Sequence, residues 1–404
     1  MAESEDAAAR GRAAAEDAIV FLQELIRLQT HEPEGYAPAA DAVSARLVQL
    51  GFDVERQDVL DADGRPVPTV LGWAGPRSRE PAIILVAHLD TNPANEGWSV
   101  PPYDGVRRDG RVLGRGAVIA KSDVSAFIYG TSAAVSAAST HDRTALIAIT
   151  CDEGGGGYLG PGYILGQLEI RPGVAVTPGF TTLVGVAHNG AVQGIVTVTG
   201  TACHQAAVDP ERDAMQHAVR IASAIGARDG VLRAKGCSIA GIEHPTFNVT
   251  RFSAGRSFGM APGVAELYVD RRVTPDEALA DAEREVRDTI EGVDHGPEIS
   301  VDLRLFPGVE PLRPTAEQER WADVVRAEAA AVLGQPVPAG GLPIYTDARW
   351  FARSGIPTVL FGAGQPDLAA AGINGVDESV SERDVASTVE IVARVVARVL
   401  DRTV

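Results

Sequence analysis

The pattern of apolar and polar residues changes twice along the chain. Two continuous apolar runs of strand length, PAIILVAHL (81–89) and TALIAIT (144–150), are typical of strands that are covered on both faces. The Ala- and Ser-rich segment between them, 121–140, predicts a crossover helix, and residues 16–29 have apolar positions at helical spacing. A strand, a helix and a strand in this order favour a parallel sheet.

The middle of the chain has a different pattern. From about residue 191, VQGIVTVTG alternates as expected for a strand with one exposed face. After this strand the pattern predicts a helix, two strands, a second helix and a last strand, at 209–227, 246–253, 264–273, 276–293 and 299–306. The order strand-helix-strand-strand-helix-strand is that of a small ferredoxin-like domain.

After about residue 310 the pattern of the first part of the chain returns. It predicts a helix at 316–333, a strand at 356–362 and a terminal helix at 381–401. We therefore predict an α/β fold in which both ends of the chain, 1–190 and 309–404, form one domain around a mostly parallel sheet. A second α+β domain of the ferredoxin-like type, 191–308, is inserted between them.

Composition and charge narrow the range of partners. The 404 residues are 45% hydrophobic and 22% charged, as in ordinary soluble proteins, and their formal net charge is −18. This charge argues against nucleic acid and anionic membranes, because phosphate contacts are made by clustered Lys and Arg. The charged opening lacks the apolar segment of a signal peptide, and the longest apolar run, 82–87, is too short to span a bilayer. We expect a cytoplasmic protein that acts on a small molecule.

Candidate chemistry lies where the predicted strands end. His88 and Asp90 follow the first apolar run, and Asp152 and Glu153 follow the second. Ligands of parallel α/β sheets gather at the carboxyl ends of the strands, so we expect these two pairs to meet at one edge of the sheet.

These motifs resemble those of the dinuclear zinc amidohydrolases, the family of acetylornithine deacetylase, succinyl-diaminopimelate desuccinylase, aminoacylase and glutamate carboxypeptidase. The resemblance extends over nearly the whole chain. It is carried by AHLDTNP (87–93), GWSVPPYDGVRRDGRVLGRGA (97–117), DEGGGG (152–157), HNGAVQGIVTVTGTACHQAAVDPERDAM (188–215), AELYVDRRVTPDE (265–277) and TDARWFARSGIPTVLFGAG (346–364). It implies a zinc-peptidase-like catalytic domain, a lid domain through which the chain forms a homodimer, and an amino-acid-like substrate.

The metal positions of the family are mostly changed in this sequence. His88 matches the first metal-binding histidine, and Asp90 matches the carboxylate that orients it. The other ligand positions, which carry carboxylates or histidine in the family, fall on Ile119, Gly154, Thr177 and Asn374. Ile and Gly offer no donor atom, and Thr and Asn are poor zinc ligands. We therefore predict a vacated metal site and no cofactor.

One alternative keeps a metal. Asp123 lies one helical turn beyond Ile119, so a shifted single-metal site of His88, Asp123 and Asp152 is a second hypothesis. A turn of helix moves a carboxylate by about 5 Å, however, whereas metal–ligand distances tolerate only a few tenths of an ångström.

Other motif residues are retained, and the resemblance gives each a role. Glu153 matches the general base, and His204 matches a lid histidine that polarises the scissile carbonyl across the dimer. Arg272 matches the arginine that holds a substrate carboxylate. The alternative for Arg272 is a surface residue on a strand, and for His204 a surface or dimer-contact histidine. Four further residues are predicted to help bind the substrate, namely Trp98, Lys121, His188 and Asn374. The alternative for Lys121 is a buried cation near Asp90 or Glu153.

Our leading hypothesis is a metal-independent enzyme that uses Glu153, His88, Asp90 and His204 for acid/base chemistry on a small amino-acid-like carboxylate. Cyclisation, condensation, isomerisation and elimination suit such a site, and so does a role in biosynthesis. Two rivals remain open at this point. One is a zinc amidohydrolase with displaced ligands, and the other is a non-catalytic binding or scaffold protein.

Overall fold

The computed structural model describes residues 2–137 and 142–402. The chain forms two compact units. The first consists of the chain up to Val186, of Pro314–Gly340 and of Thr346 onward, and the second of Ala187–Arg313 and Gly341–Tyr345. The predicted borders of the inserted domain, at 191 and 308, lie a few residues inside the observed borders of the second unit, Ala187 and Arg313. The short return at 341–345 was not predicted; the N–H of Gly341 donates to the carbonyl of Ala240, 2.7 Å away, which ties this segment to the second unit.

α-Helices occupy nine ranges of the described residues. They are α1 (Ala2–Arg27), α2 (Tyr36–Gln49), α3 (Lys121–Ala137), α4 (Pro161–Gly166), α5 (Ala214–Arg233), α6 (Leu279–Glu291), α7 (Ala316–Leu333), α8 (Ala348–Arg353) and α9 (Glu382–Leu400). The helix predicted at 121–140 corresponds to α3, and the last three of those positions lie outside the described residues. Helix α1 begins earlier than its apolar pattern predicted, since the Ala-rich stretch before it has high helix propensity.

Strands lie between the helices in both units. They are β1 (Asp53–Leu60), β2 (Pro66–Ala74), β3 (Ile83–His88), β4 (Val106–Arg108), β5 (Arg111–Leu113), β6 (Ala145–Thr150), β7 (Ala175–Thr177), β8 (Val184–His188), β9 (Gly190–Thr199), β10 (Cys203–His204), β11 (Thr246–Ala254), β12 (Met260–Ala261), β13 (Val264–Val273), β14 (Ser300–Leu305), β15 (Ala339–Leu342), β16 (Thr358–Leu360) and β17 (Ser379–Ser381).

The main sheet has the strand order β1-β2-β6-β3-β7-β16-β8-β15. The four neighbours β6, β3, β7 and β16 run parallel to one another. Strands β1, β2 and β8 join them in antiparallel pairs. The mostly parallel core predicted from the apolar runs is therefore confirmed. The antiparallel strands at its sides were not predicted.

The parallel strands are buried on both faces. Every residue of β3 and β6 is buried, which explains their unbroken apolar sequence. One face packs on α3, which in turn packs on α1 and α9. The other face contributes Ile84, Val86 and Leu146 to a core that includes Phe351 of α8. None of the described helices combines the length and the apolar composition needed to cross a bilayer.

The second unit contains a four-stranded antiparallel sheet in the order β11-β13-β9-β14. Helices α5 and α6 supply Ile221, Ile225, Val286 and Ile290 to the core that covers this sheet. The order of elements, β9-α5-β11-β13-α6-β14, is that of the predicted ferredoxin-like domain, which is confirmed.

Candidate functional site

The edge formed by the carboxyl ends of β3 and β6 carries the predicted acid/base residues. His88 is the last residue of β3 and lies opposite Thr150, the last residue of the parallel strand β6. The chain after β6 then continues through Asp152 and Glu153, so the two motifs meet as expected.

His88 and Asp90 form a buried pair at this edge. They are only 6% and 7% exposed, and Nδ1 of His88 lies 3.4 Å from Oδ1 of Asp90 and 3.0 Å from its main-chain carbonyl oxygen. Burial alone would lower the pKa of His88. The hydrogen bond to Asp90 and the charges of Asp90, Glu153 and Asp347 outweigh it and raise the pKa to about 10. His88 is therefore an imidazolium at neutral pH.

Asp90 also holds the base motif in place. Its carboxylate accepts the N–H groups of Glu153 at 3.3 Å and Gly154 at 2.8 Å. Burial would raise the pKa of Asp90, but His88 and these two main-chain donors hold it below its usual value. Asp90 thus orients His88 and fixes the start of the loop that carries Glu153, whose own side chain is partly exposed.

The glycine-rich loop after Glu153 is shaped by its neighbours. Gly157 has φ +70°, and a side chain there would collide with Oδ1 of Asp347. The carbonyl of Gly156 accepts from Nε1 of Trp350 at 3.0 Å and from Arg349. The loop therefore wraps around the start of α8.

Asp347 is a site residue to which the sequence assigned no role. It is 4% exposed, and burial, followed by the charge of Glu153, raises its pKa well above the usual range, although the charge of His88 opposes this. The only signal in the sequence was its place in the motif that begins at Thr346. In the sequence, Asp347 lies 194 positions after Glu153 and 259 positions after His88.

The residues at the matched ligand positions do not fit a zinc site. Ile119, Gly154, Thr177 and Asn374 offer none of the side-chain donors from which zinc sites are built. Throughout the described part of the chain, no group of three or more His, Cys, Asp or Glu side chains could hold a metal ion.

The shifted metal site of His88, Asp123 and Asp152 is therefore a wrong hypothesis. Oδ1 of Asp123 accepts from the N–H of Ala363 at 2.6 Å, and burial raises the pKa of this carboxyl well above its usual value. Oδ2 of Asp152 accepts from the N–H of Leu159 at 2.6 Å. Both carboxyl groups bind main-chain donors instead of facing a shared ion.

The loop 114–121 keeps its shape through a buried ion pair. Glu378 binds Arg115 at 2.8 Å, and both side chains are almost fully buried. Oε1 of Glu378 also accepts the N–H groups of Val118 at 3.0 Å and Ile119 at 3.4 Å. The carboxylate of Glu378 thus holds the main chain around Ile119 in place. The side chain of Ile119 takes no part in these hydrogen bonds.

The structure corrects the role predicted for Lys121. The residue is fully buried, and its Nζ donates to the carbonyl of Leu28 at 2.8 Å. Burial lowers the pKa of Lys121 to about 7. A buried amine bound to the main chain suits the structural alternative and not a contact with substrate.

Asn374 and Trp98 also make contacts with other residues of the chain. Asn374 is exposed and has φ +58°; its Oδ1 accepts from Nδ2 of Asn92 at 3.0 Å, and its carbonyl accepts from Asn95 at 3.1 Å. The guanidinium of Arg115 lies 5.3 Å from the ring centroid of Trp98. These contacts give both residues a structural use, and their role in binding substrate stays a prediction.

The remaining predicted residues lie in the second unit. His188 is buried, with Nδ1 2.8 Å from the carbonyl oxygen of Asn189. His204 is exposed and accepts the N–H of Ala206 through Nδ1 at 3.2 Å. The structure of this unit thus gives His204 the accessibility that a reacting group needs, and it gives His188 a local main-chain partner.

Arg272 has two internal contacts. Its Nε and Nη2 bind the carboxylate of Asp270 at 2.7 and 3.1 Å, and its guanidinium lies 4.9 Å from the ring centroid of Tyr345. Asp270 also accepts from Gln193 at 2.6 Å. The guanidinium is thus held flat in a fixed orientation, with Nη1 outside the pair with Asp270.

Comparison with known sequences agrees with the fold. The chain is 26% identical over 400 residues to a succinyl-diaminopimelate desuccinylase of Thioalkalivibrio sulfidiphilus, covering 95% of this chain and 99% of the relative. It is 27% identical over 323 residues to a putative succinyl-diaminopimelate desuccinylase of Mycobacterium tuberculosis, covering 78% and 82%. By their names these relatives are enzymes.

Solved structures share the architecture. The dipeptidase Dug1p from Saccharomyces cerevisiae superimposes with a TM-score of 0.81 at 11% identity, covering 99% of both chains. Human carnosine dipeptidase 1 gives a TM-score of 0.79 at 14% identity, covering 98% of this chain and all of that one. The sequence profile of peptidase family M20/M25/M40 matches residues 84–398, which is more than half of the chain. The chain therefore belongs to peptidase family M20/M25/M40.

Proposed function

We propose that this chain is a metal-independent enzyme, which performs acid/base chemistry on a small amino-acid-like carboxylate. The observation that carries the proposal is the combination found at the edge of the parallel sheet. His88, Asp90 and Glu153 meet there, while the matched ligand positions carry Ile119 and Gly154 in place of carboxylates.

The buried pair of His88 and Asp90 supports an assignment of the acid and the base. His88 is charged at neutral pH and donates a hydrogen bond or a proton, while Asp90 keeps its ring oriented. Glu153 is the more accessible carboxyl group and acts as the base. A base and an acid at one edge are sufficient to move a proton between two atoms of a bound substrate.

The second unit supplies the proposed substrate contacts. Arg272 retains Nη1 for a substrate carboxylate, because Asp270 binds Nε and Nη2. His204 is exposed and polarises the carbonyl group that reacts. Both roles rest on the resemblance and extend it to this chain.

The class of reaction follows from the metal-binding side chains that positions 119 and 154 lack. Hydrolysis of an unreactive amide needs a strongly activated water, which zinc supplies by lowering the pKa of the bound water to near neutrality. The residues at positions 119 and 154 cannot hold such an ion. Cyclisation, condensation with loss of water, isomerisation and elimination need only positioned proton transfer, so we place the enzyme among these reactions, in a biosynthetic role.

The relatives named succinyl-diaminopimelate desuccinylase favour a second candidate, a zinc-dependent amidohydrolase. Metal analysis and a substrate panel separate the two. The panel contains N-acetylornithine, N-succinyl-diaminopimelate, N-acyl amino acids, dipeptides and the corresponding free amines and acids. Mass spectrometry then reports gain of water, loss of water or rearrangement without a change of mass.

We expect substoichiometric zinc and a product formed by loss of water or by rearrangement, insensitive to a chelator and abolished in Glu153→Gln. The matched control is Glu80→Gln, a change at an exposed glutamate of the same unit. About two zinc ions per chain together with chelator-sensitive hydrolysis would establish the second candidate. Equal behaviour of Glu153→Gln and wild type in every assay would indicate a non-catalytic protein.

A further inference from the structure

The alternation of side chains along β13 places a row of polar residues on a single face of the sheet in the second unit. Leu267 and Val269 belong to the core beneath α5 and α6. Successive side chains of a strand point to opposite faces, so Tyr268, Asp270 and Arg272 lie together on the face turned away from these helices. We call this surface the far face.

Two arginines of the far face lie over tyrosine rings. Arg251 of β11 is the register partner of Tyr268, and its guanidinium carbon lies 5.0 Å from the centroid of that ring. Arg272 lies 4.9 Å from the ring centroid of Tyr345. A ring stacked on a guanidinium group fixes its plane and leaves the N–H edges to other partners.

Both guanidinium groups keep donors that no residue of the chain uses. Asp270 takes Nε and Nη2 of Arg272 at 2.7 and 3.1 Å, which leaves the edge formed by Nη1 and the second N–H of Nη2. The side chain of Arg251 is exposed and makes no hydrogen bond or ion pair with any described residue. Each arginine can therefore donate to an anionic group of a bound molecule.

A cavity of about 710 Å³ adjoins Arg251. Its charged lining residues are Arg251, Arg256 and Glu266, so two positive charges face one negative charge. Its volume is in the range of small-molecule sites. The one excess positive charge suits a group with a single negative charge, such as a carboxylate.

The distance between the two arginines suits a small elongated molecule. Tyr268, beneath Arg251, is four residues from Arg272 on β13, which corresponds to about 13 Å along the strand. Ile195 of β9 is the register partner of Tyr268 and adds an apolar surface beside it. Asp270 lies between the two arginines, but its charge is already paired with Arg272.

We propose that the far face binds an elongated molecule with two carboxylates, one on the free edge of Arg272 and the second on Arg251. This inference rests on the proposed function, in which Arg272 holds the substrate carboxylate, and it narrows the substrate class to amino-acid-like dicarboxylates. The cavity beside Arg251 receives the distal end of the molecule. A compound with one carboxylate binds at a single arginine and gains nothing from the other.

Ligand-observed NMR titration with α,ω-dicarboxylates measures this binding without any turnover. The series runs from malonate to azelate, and each member is compared with the matched compound in which an amide replaces one carboxylate. We expect the affinity of the wild type to pass through a maximum with chain length, because only a sufficiently long molecule reaches both guanidinium groups. At this maximum the dicarboxylate should bind at least about fivefold more tightly than its amide, as linkage of two weak contacts predicts.

Arg251→Gln is the decisive variant, and thermal melts report its folding. In this variant we expect each dicarboxylate to bind like its matched amide, and the same in Arg272→Gln. The matched control is Arg304→Gln, because Arg304 of β14 is the register partner of Ile195 on the same face and lies 5.2 Å from the ring centroid of Phe306. This control should keep both the maximum and the fivefold preference.

Equal affinities for dicarboxylates and amides in the wild type overturn the proposal. A preference that survives Arg251→Gln, or one that disappears in Arg304→Gln, overturns it as well. The result is separate from the proposed function. If the preference is found but no compound of the substrate panel reacts, the proposed function fails and the two-carboxylate site stands. If compounds with one carboxylate react and dicarboxylates have no preference, the proposed function stands and this site fails.

Discussion

His88 and Asp90 form a buried ion pair at the end of the central strand β3, with 3.4 Å between Nδ1 and Oδ1. Asp90 connects this pair to the base motif, because it also accepts the N–H of Gly154. Orientation of the imidazole, its charge and the start of the Glu153 loop thus depend on one carboxylate.

Asp90→Asn should lower the pKa of His88, which is about 10 in the wild type, because burial then acts with less opposition. We expect the free energy of unfolding near pH 6 to fall by about 3 kcal/mol, as when one partner of a buried pair is removed. Nitrogen-15 NMR of the imidazole and chemical denaturation measure the two effects. The control is Asp58→Asn, an exposed partner of Arg56, which should cost at most about 1 kcal/mol.

The same pair predicts a pH window of stability. The pKa of His88 is raised from 6.5, so its contribution is complete below pH 6.5 and is lost as the pH rises toward about 10. The pKa of Asp90 is lowered from 3.8, so its contribution is complete above that pH and is lost on further acidification. Asp90→Asn should flatten the alkaline loss, and an unchanged slope between pH 7 and pH 10 would count against the pair.

Glu378→Gln should destabilise the chain strongly. Burial raises the pKa of Glu378, yet its loss would leave the buried guanidinium of Arg115 without a counter-charge. We expect a decrease of about 3 kcal/mol in the free energy of unfolding, measured by denaturant titration. The matched change Glu16→Gln removes an exposed partner of Arg107 and should cost at most about 1 kcal/mol. Similar losses in both variants would contradict a special role for the buried pair.

Restoring donors should create metal affinity. The triple variant Ile119→Asp, Gly154→Glu and Asn374→His restores ligands at three of the matched positions in addition to His88, and a set of four is what a zinc site needs. Histidine tolerates the positive φ at position 374, and a side chain at 154 would come within 3.3 Å of Asp90, so a small shift is required there.

Isothermal titration with zinc measures this effect. We expect binding by the triple variant and none at comparable concentration by the wild type. The matched control carries Ile119→Asn, Gly154→Gln and Asn374→Gln, which changes the same positions with poor ligands. Tight zinc binding by the wild type would refute the vacated site directly.

His217 should make the second unit sensitive to acid. This histidine is fully buried, neither ring nitrogen makes a hydrogen bond of normal geometry within the described structure, and the ring of His295 lies 6.0 Å away. Burial, Arg220 and His295 lower the pKa of His217 below 6.5, against the opposing effects of the Pro210 carbonyl and Glu211. Its neutral form is therefore favoured in the folded state.

A histidine with a lowered pKa contributes stability that is present above pH 6.5 and is lost as the pH falls through the folded-state value. We expect the free energy of unfolding to drop by up to about 1.4 kcal/mol per pH unit in this window. His217→Gln should remove that dependence, and His244→Gln, at a partly exposed histidine of the same unit, should keep it. Denaturant titrations at two pH values measure the difference.

Much of the fold could be predicted from local patterns. The unbroken apolar runs fixed β3 and β6 as buried parallel strands, and the alternating pattern identified β9 and the ferredoxin-like order after it. The strands β1 and β2 were not predicted. Strand β1 is mostly polar and partly exposed, and its sequence shows no clear period. Such strands acquire their conformation from a partner, which a local pattern does not contain.

The sequence by itself determined which donor atoms exist at the matched positions and which strand ends carry His88 and Glu153. Only the tertiary structure decided how these groups are used. It brought Asp347 against the Glu153 loop, enclosed Lys121, and gave Asn374 and Arg272 partners inside their own units. The physical reason is that burial and electrostatic partners come from segments far apart in the chain. Local spacing specifies the chemistry of a side chain, whereas its exposure, charge state and freedom to bind are set by the packing around it.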